Sequence, residues 1–192
     1  MINDIVKETY AIYKITAPTS NKKLKKAHAL IKADLSIDGF EIYCLNEGVT
    51  SGEKTIYPFD GYSKKIDFSC YKDDKLIYVG GTKFIFRNYK QNSNNYFENE
   101  LGQAYIITQF GKKIPYFTLT VIIDEIPYYK KNGEVKNIEK ITTDDFKKYE
   151  VFSSFENCYC SVVIYSLSKD TVVGTVGFSY RDMILQIRNL CE

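Results

Sequence analysis

Histidine is nearly missing from this chain: His28 is the single imidazole among 192 residues. That excludes metal centres built from several histidines, and any Cys–His or Ser–His nucleophile pair would have to use His28 itself. Tryptophan is absent, prolines number four, and only three arginines accompany 23 lysines. The opening Met1-Ile2-Asn3-Asp4 has no basic segment followed by an apolar one, so no secretory signal is expected. No apolar run approaches the roughly 20 residues needed to cross a bilayer; Thr118 to Ile126 is short and contains Asp124 and Glu125. Net charge is only +2, too little to point to a polyanionic partner. Five cysteines, Cys44, Cys70, Cys158, Cys160 and Cys191, are odd in number and irregularly spaced. They read as free thiols in a reducing cytoplasm rather than a disulfide framework.

What is present suits one soluble domain with a full core: 44% hydrophobic and 26% charged residues. Seventeen tyrosines and twelve phenylalanines join a bias toward Lys, Asn and Ile that reads as an AT-rich coding sequence. Ile2, Ile5, Val6, Thr9, Tyr10 and Tyr13 recur at helical spacing, with Asn3 as cap. Ala17 to Lys26 reads as a polar, basic connector containing Pro18.

From Ala29 to Leu45 apolar residues alternate on both sides of Asp38-Gly39, a dipeptide suited to a tight hairpin turn. The expected register pairs Ile37 with Phe40, Leu35 with Ile42 and Ala33 with Cys44. Gly48 to Gly52 reads as a loop, and Thr55 to Phe59 as a short edge strand because of Pro58. Lys65–Tyr71 and Leu76–Val79 form a second expected hairpin, pairing Cys70 with Ile77 and Phe68 with Val79. Gly80-Gly81 then bends the chain into a strand from Thr82 to Tyr89. The Asn-rich stretch Lys90 to Glu100 reads as a mobile loop, with strands at Gln103–Phe110 and Tyr116–Ile126. Asn132-Gly133 marks a hairpin turn, Thr142 or Thr143 caps a short helix, and Ser168-Lys169-Asp170 turns a last hairpin. A helix from about Tyr180 to Leu190 closes the chain.

The sum is an α+β, mainly β chain: an antiparallel β-sandwich or open barrel of consecutive hairpins, with peripheral N-terminal, middle and C-terminal helices. It is divided as 1–26 N-terminal helix and connector, 27–178 antiparallel core and 179–192 C-terminal helix.

Candidate chemistry is sparse, and no catalytic residue, metal or cofactor is assigned. His28 is expected to be exposed or capping, and Cys158-x-Cys160 to be small buried hydrophobes. Val79-Gly80-Gly81-Thr82-Lys83 lacks the spacing of a phosphate loop and reads as a bulge or bend. Asp124 with Glu134-Val135-Lys136 resembles the PD-(D/E)xK nuclease signature, in which carboxylates hold a divalent ion. The hairpin register sets Asp124 opposite Ile141, roughly 23 Å along the strand from Glu134 and on the other face. The run from Tyr159 through Val173-Gly174 to Met183 is similar to the closing strands of synaptotagmin-type lipid-binding β-sandwiches. Calcium there needs several carboxylates, and this loop offers only Asp170.

The expected function is a non-enzymatic cytoplasmic interaction module of inhibitor, immunity or adaptor type. Its partner surface would use the aromatic side chains Tyr43, Tyr71, Tyr78, Tyr89 and Tyr96. Alternatives are a small-ligand, nucleotide- or lipid-binding domain and a metal-dependent nuclease. The basic patch Lys22, Lys23, Lys25 and Lys26 could face nucleic acid or an acidic membrane.

Overall fold

A computed structural model describes residues 1–16, 21–46 and 50–192. The expected connector Ala17 to Lys26 lies outside the described residues at 17–20 and is helix rather than connector from Lys22, and the expected loop Gly48 to Gly52 lies outside them at 48 and 49. The amphipathic N-terminal pattern forms α1 (Ile2–Ile15), which buries Ile5, Val6 and Thr9. Its cap is Met1 rather than Asn3, with the terminal ammonium 2.6 Å from the Asp4 carboxylate.

The first expected hairpin is instead mostly a helix, α2 (Lys22–Leu35). Its buried residues Ala27, His28, Ile31 and Leu35 form a helical stripe. Ile31 and Leu35 belong equally to the alternating pattern, so period alone did not separate the two readings. Packing against α1 decides it, with Lys26 reaching Glu8 at 2.8 Å. The Asp38-Gly39 turn survives, with Gly39 at φ +82° and the Phe40 N–H donating to the Ile37 carbonyl at 3.3 Å. It joins α2 to β1 (Glu41–Cys44), not strand to strand.

A two-stranded ribbon, β2 (Thr55–Phe59) and β3 (Tyr62–Lys65), leads into the hairpin of β4 (Phe68–Lys72) and β5 (Lys75–Ile85). Asp73 and Asp74 turn it, both at positive φ. Beyond Tyr71 opposite Leu76 a bulge shifts the register, so Cys70 faces Tyr78 and Phe68 faces Gly80. One extra residue reverses which face each following side chain takes. Tyr78 therefore turns inward instead of outward, and β5 runs unbroken through Gly80-Gly81.

The loop and strand expected over residues 90–110 are also corrected. A short 3-10 turn at Lys90–Asn92 runs into α3 (Ser93–Thr108), burying Ala104, Ile107 and Thr108. The buried Glu139 carboxylate accepts the Tyr89 and Lys90 N–H groups at 2.8 and 3.2 Å, anchoring the chain where this helical stretch begins. The Asn-rich composition concealed a helix held by tertiary contacts.

After α3 comes β6 (Tyr116–Ile123), buried at every position, then the ribbon β7 (Glu125–Tyr129) and β8 (Val135–Lys140). A 3-10 helix spans Thr143–Ser154, with the Asp145 carboxylate accepting the Thr142 N–H at 2.9 Å. The expected last hairpin forms as β9 (Cys158–Ser166) and β10 (Thr171–Gly177). The chain ends in α4 (Tyr180–Asn189), where the Ser179 hydroxyl accepts the Asp182 N–H.

Six strands make one sheet in the order β1-β4-β5-β6-β9-β10. Its central pairs, β5 with β6 and β6 with β9, are parallel. A parallel pair requires a crossover connection, and α3 supplies the first. Reading α3 as loop and strand left no crossover, so the whole core looked antiparallel. The chain is α+β with about 35% strand and 37% helix, not predominantly strand. The open mixed sheet stands where a sandwich or open barrel was expected, and the supposed strand core from 27 begins inside α2. Apolar residues of α1, α2 and α4 pack on one face; α3 and the 143–154 helix pack on the other. Among the described residues no helix is long and apolar enough to cross a membrane.

The bulge gives a direct test. Tyr78 is 1% exposed, so Tyr78→Ser should cost about 3–5 kcal/mol in chemical denaturation, as large-to-small aromatic core changes do. Tyr71→Ser, at a half-exposed position, should cost well under half as much. Equal losses would refute the shifted register.

Candidate functional site

Strand β4 begins at Phe68, opposite Gly80, so β5 from Gly81 to Ile85 has only β6 beside it. Asp67, one residue before β4, occupies the edge left open. Its carboxylate accepts the Thr82 N–H at 2.7 Å and the Thr82 hydroxyl at 3.2 Å. From the covering helix, Glu100 and Gln103 lie at i and i+3 on one face of α3. Tyr116, the first residue of β6, meets both: its hydroxyl donates to Glu100 Oε1 at 2.9 Å and accepts from Gln103 Nε2 at 2.8 Å. Gly81 makes room for this, since a Cβ there would stand 2.5 Å from the tyrosine oxygen. Together with Lys64, Lys65 and Lys83 these residues line a cleft of about 530 Å³.

Burial pushes the Asp67 and Glu100 carboxyls above their ordinary range, and the charge of Asp67 adds to the rise at Glu100. The bonds from Thr82 oppose the shift at Asp67, as do those from Thr118 and Tyr116 at Glu100; Lys83 opposes it at both. Neither carboxylate enters an ion pair among the described residues. Nor do three or more His, Cys, Asp or Glu side chains of the described residues converge as metal ligands would.

His28 approaches the same threonine from α2, with Nε2 2.9 Å from Thr82 Oγ1. Because Thr82 donates to Asp67, its oxygen is left to accept from Nε2–H, which defines the neutral tautomer and leaves Nδ1 as an unpartnered lone pair. Burial drives the imidazole pKa down to about 4 against the opposing charge of Glu53. His28 is thus fully buried against Phe68, neither exposed nor capping.

The five expected partner-binding tyrosines do not share a surface. Tyr43 on the end strand β1 and Tyr71 on its neighbour β4 pair edge-to-face at 5.8 Å, with Lys54 4.0 Å over Tyr43. Tyr78 is buried; so is Tyr89, stacked between Tyr96 and Phe146. Tyr96 alone lines the cleft, beneath the Lys83 ammonium. The basic patch is spread along α2: Lys26 pairs with Glu8, Lys23 lies over the Tyr13 ring, and Lys22 and Lys25 border a separate hollow beside Asn46.

Cys158 and Cys160 are buried, and burial pushes the Cys158 thiol up to about 12. The nuclease resemblance finds no shared site: Asp124 accepts the Ile141 N–H as the register required, while exposed Glu134 meets Lys130 at the far turn. Asp170 binds Lys7 and the Tyr165 hydroxyl. Reading the sequence missed Asp67, Glu100, Gln103 and Tyr116, which are separated along the chain and share no motif. The only local signal was Gly80-Gly81-Thr82-Lys83. No known protein family, curated protein or solved structure matches this chain at a significant level.

The lone imidazole makes a pH test clean. Between its unfolded value near 6.5 and its folded value of about 4, the unfolded chain binds a proton that the folded chain refuses. His28's contribution is therefore complete above the unfolded value and falls by roughly 3 kcal/mol as pH drops through the window. The raised Asp67 and Glu100 act with opposite sign, their contribution being present at low pH and lost as pH rises through their folded values. The stability difference between wild type and His28→Gln isolates the histidine. It should shrink steadily from pH 6.5 to 4; a constant difference would put the ring in water. Separately, Gly81→Ala should displace the Tyr116 hydroxyl and lower thermal stability, because the buried ring has little space to retreat.

Proposed function

We propose that this chain is a binding protein and that the Asp67–Glu100 cleft takes a small ligand bearing an ammonium or guanidinium group. The observation that carries this reading is a pair of half-buried carboxyls lining one open polar cleft, with no ion-pair partner among the described residues and held above their ordinary pKa range. Such groups destabilise a fold unless compensated, and their clustering in a cleft marks a site. A cationic ligand supplies the missing charge. Gln103 and Tyr96 offer a hydrogen bond and a ring face, while Lys64 and Lys83 at the margin suit an anionic group on the same ligand. Amino acids and related zwitterions combine both charges. Five free thiols, four of them buried, are in keeping with the cytoplasmic setting read from the sequence.

A second reading, the protein-partner module expected from the sequence, is favoured by Tyr43 and Tyr71, which form a half-exposed aromatic pair on an end strand of the sheet and its neighbour. Tyr78 and Tyr89 take no part in it.

The cleft is tested by thermal shift and calorimetry with a panel of amino acids, primary amines and guanidinium compounds. At least one should raise the melting temperature, and Asp67→Asn or Glu100→Gln should weaken it tenfold or more. Affinity should rise with pH as the two carboxyls ionise, and binding should release protons. Absence of any stabilising compound, or a shift that both variants leave intact, would remove the proposal.

A further inference from the structure

A second concavity, of about 580 Å³, lies between α1 and the β7–β8 ribbon, and its chemistry is opposite to that of the cleft. One wall is aromatic: Tyr10 and Tyr13 lie 6.0 Å apart with nearly parallel rings, and both pack on Phe86 at 5.2 and 5.1 Å. Tyr129 belongs to the facing ribbon, near enough to act electrostatically on both tyrosine hydroxyls. Cations surround these rings. Lys14, Arg87, Lys130 and Lys131 line the groove, and Lys23 sits 5.3 Å over the Tyr13 ring. Among the described residues no aspartate or glutamate lines it; Glu134, at the nearby turn, is held by Lys130 at 3.1 Å.

Arg87 is the telling member. Arginine is scarce in a chain that otherwise uses lysine, and this one forms no ion pair among the described residues. A planar guanidinium matches phosphate oxygens in pairs, which an ammonium does not. Its position is fixed by the next residue. Asn88, at φ +50°, donates its N–H to the Pro127 carbonyl at 3.1 Å and accepts the Tyr129 N–H on Oδ1 at 2.7 Å. That ties the segment carrying Arg87 to the opposite wall before any ligand arrives, which lowers the ordering cost of binding. The crowded cations also act on one another: burial, then the charge of Arg87, lowers the Lys23 pKa.

We infer that this groove binds a nucleotide, with its base against the tyrosine rings and its phosphate on Arg87, Lys14 and Lys131. Aromatic faces accept any base by stacking, and the cations supply the phosphate contacts. The ligand chemistry is the same for a free nucleotide and for a nucleotide unit of a single strand, so the test separates these sources. It does not depend on the Asp67–Glu100 reading.

Binding to the full chain is measured by calorimetry with AMP, ATP and pyrophosphate, and by fluorescence anisotropy with a labelled eight-nucleotide oligouridylate. A free-nucleotide site gives binding of AMP or ATP; a strand site gives binding of the oligomer with little affinity for the mononucleotides. In either case Arg87→Gln and Lys131→Gln, both at exposed positions, should weaken binding at least tenfold with melting temperature unchanged. Asp67→Asn should leave it intact, which keeps this result apart from that of the cleft. The inference is overturned if no nucleotide or oligomer binds, if pyrophosphate binds as well as ATP, or if Arg87→Gln has no effect.

Discussion

Two aromatic rings lie directly against strand β5 because residues 80 and 81 have no side chains. A Cβ on Gly80 would sit 2.0 Å from the Phe117 ring, and one on Gly81 would sit 2.5 Å from the Tyr116 hydroxyl. Phe117 belongs to the core beneath α1, α2 and α4; Tyr116 belongs to the core beneath α3. The parallel pairing of β5 with β6 sets Gly80 opposite Phe117 and Gly81 opposite Thr118, so both close approaches depend on one register. The two layers and the polar cleft therefore share an origin in a pair of missing side chains.

From that point polar contacts run from the buried His28 out to the open cleft. His28 reaches Thr82, Thr82 reaches Asp67, and Tyr116 links Glu100 to Gln103. Burying such groups opposes folding unless each finds a partner. Most do, yet the carboxyls keep a raised affinity for protons and His28 keeps an unpartnered nitrogen. Local conflict of this kind is expected where a site, rather than packing, is served. The groove around Arg87 has the reverse character, being rich in cations and rings and poor in acids.

The turns were the most legible part of the fold. Asp38-Gly39 and Asp73-Asp74 both form turns, because positive φ is a local demand that a dipeptide meets by itself. The terminal helices were legible for a similar reason: their apolar residues fit only one period. Residues 22–35 were ambiguous, since Ile31 and Leu35 satisfy both periods, and contact with α1 settled them as helix. Residues 93–108 carried a contrary signal, with asparagines suggesting a loop where Glu139, 49 residues beyond Lys90, ties down the chain leading into the helix. The bulge after Tyr71 was invisible too, because the apolar run Leu76-Ile77-Tyr78-Val79 fits the sheet in either register. It moved Tyr78 from the proposed surface into the core.

By itself the sequence determined the positions of the turns, the helices at the two ends, the ribbon register that sets Asp124 opposite Ile141, and a lone histidine that narrows the available chemistry. Each of these rests on interactions between residues close along the chain. Tertiary structure alone decided the parallel centre of the sheet, the inward turn of Tyr78 and the placing of Asp67 and Glu100 in one cleft. Those depend on which strand lies beside which, a matter of burial over the whole chain. Two carboxyls 33 positions apart acquire a common chemistry only when α3 packs over the sheet and both come to line one cleft.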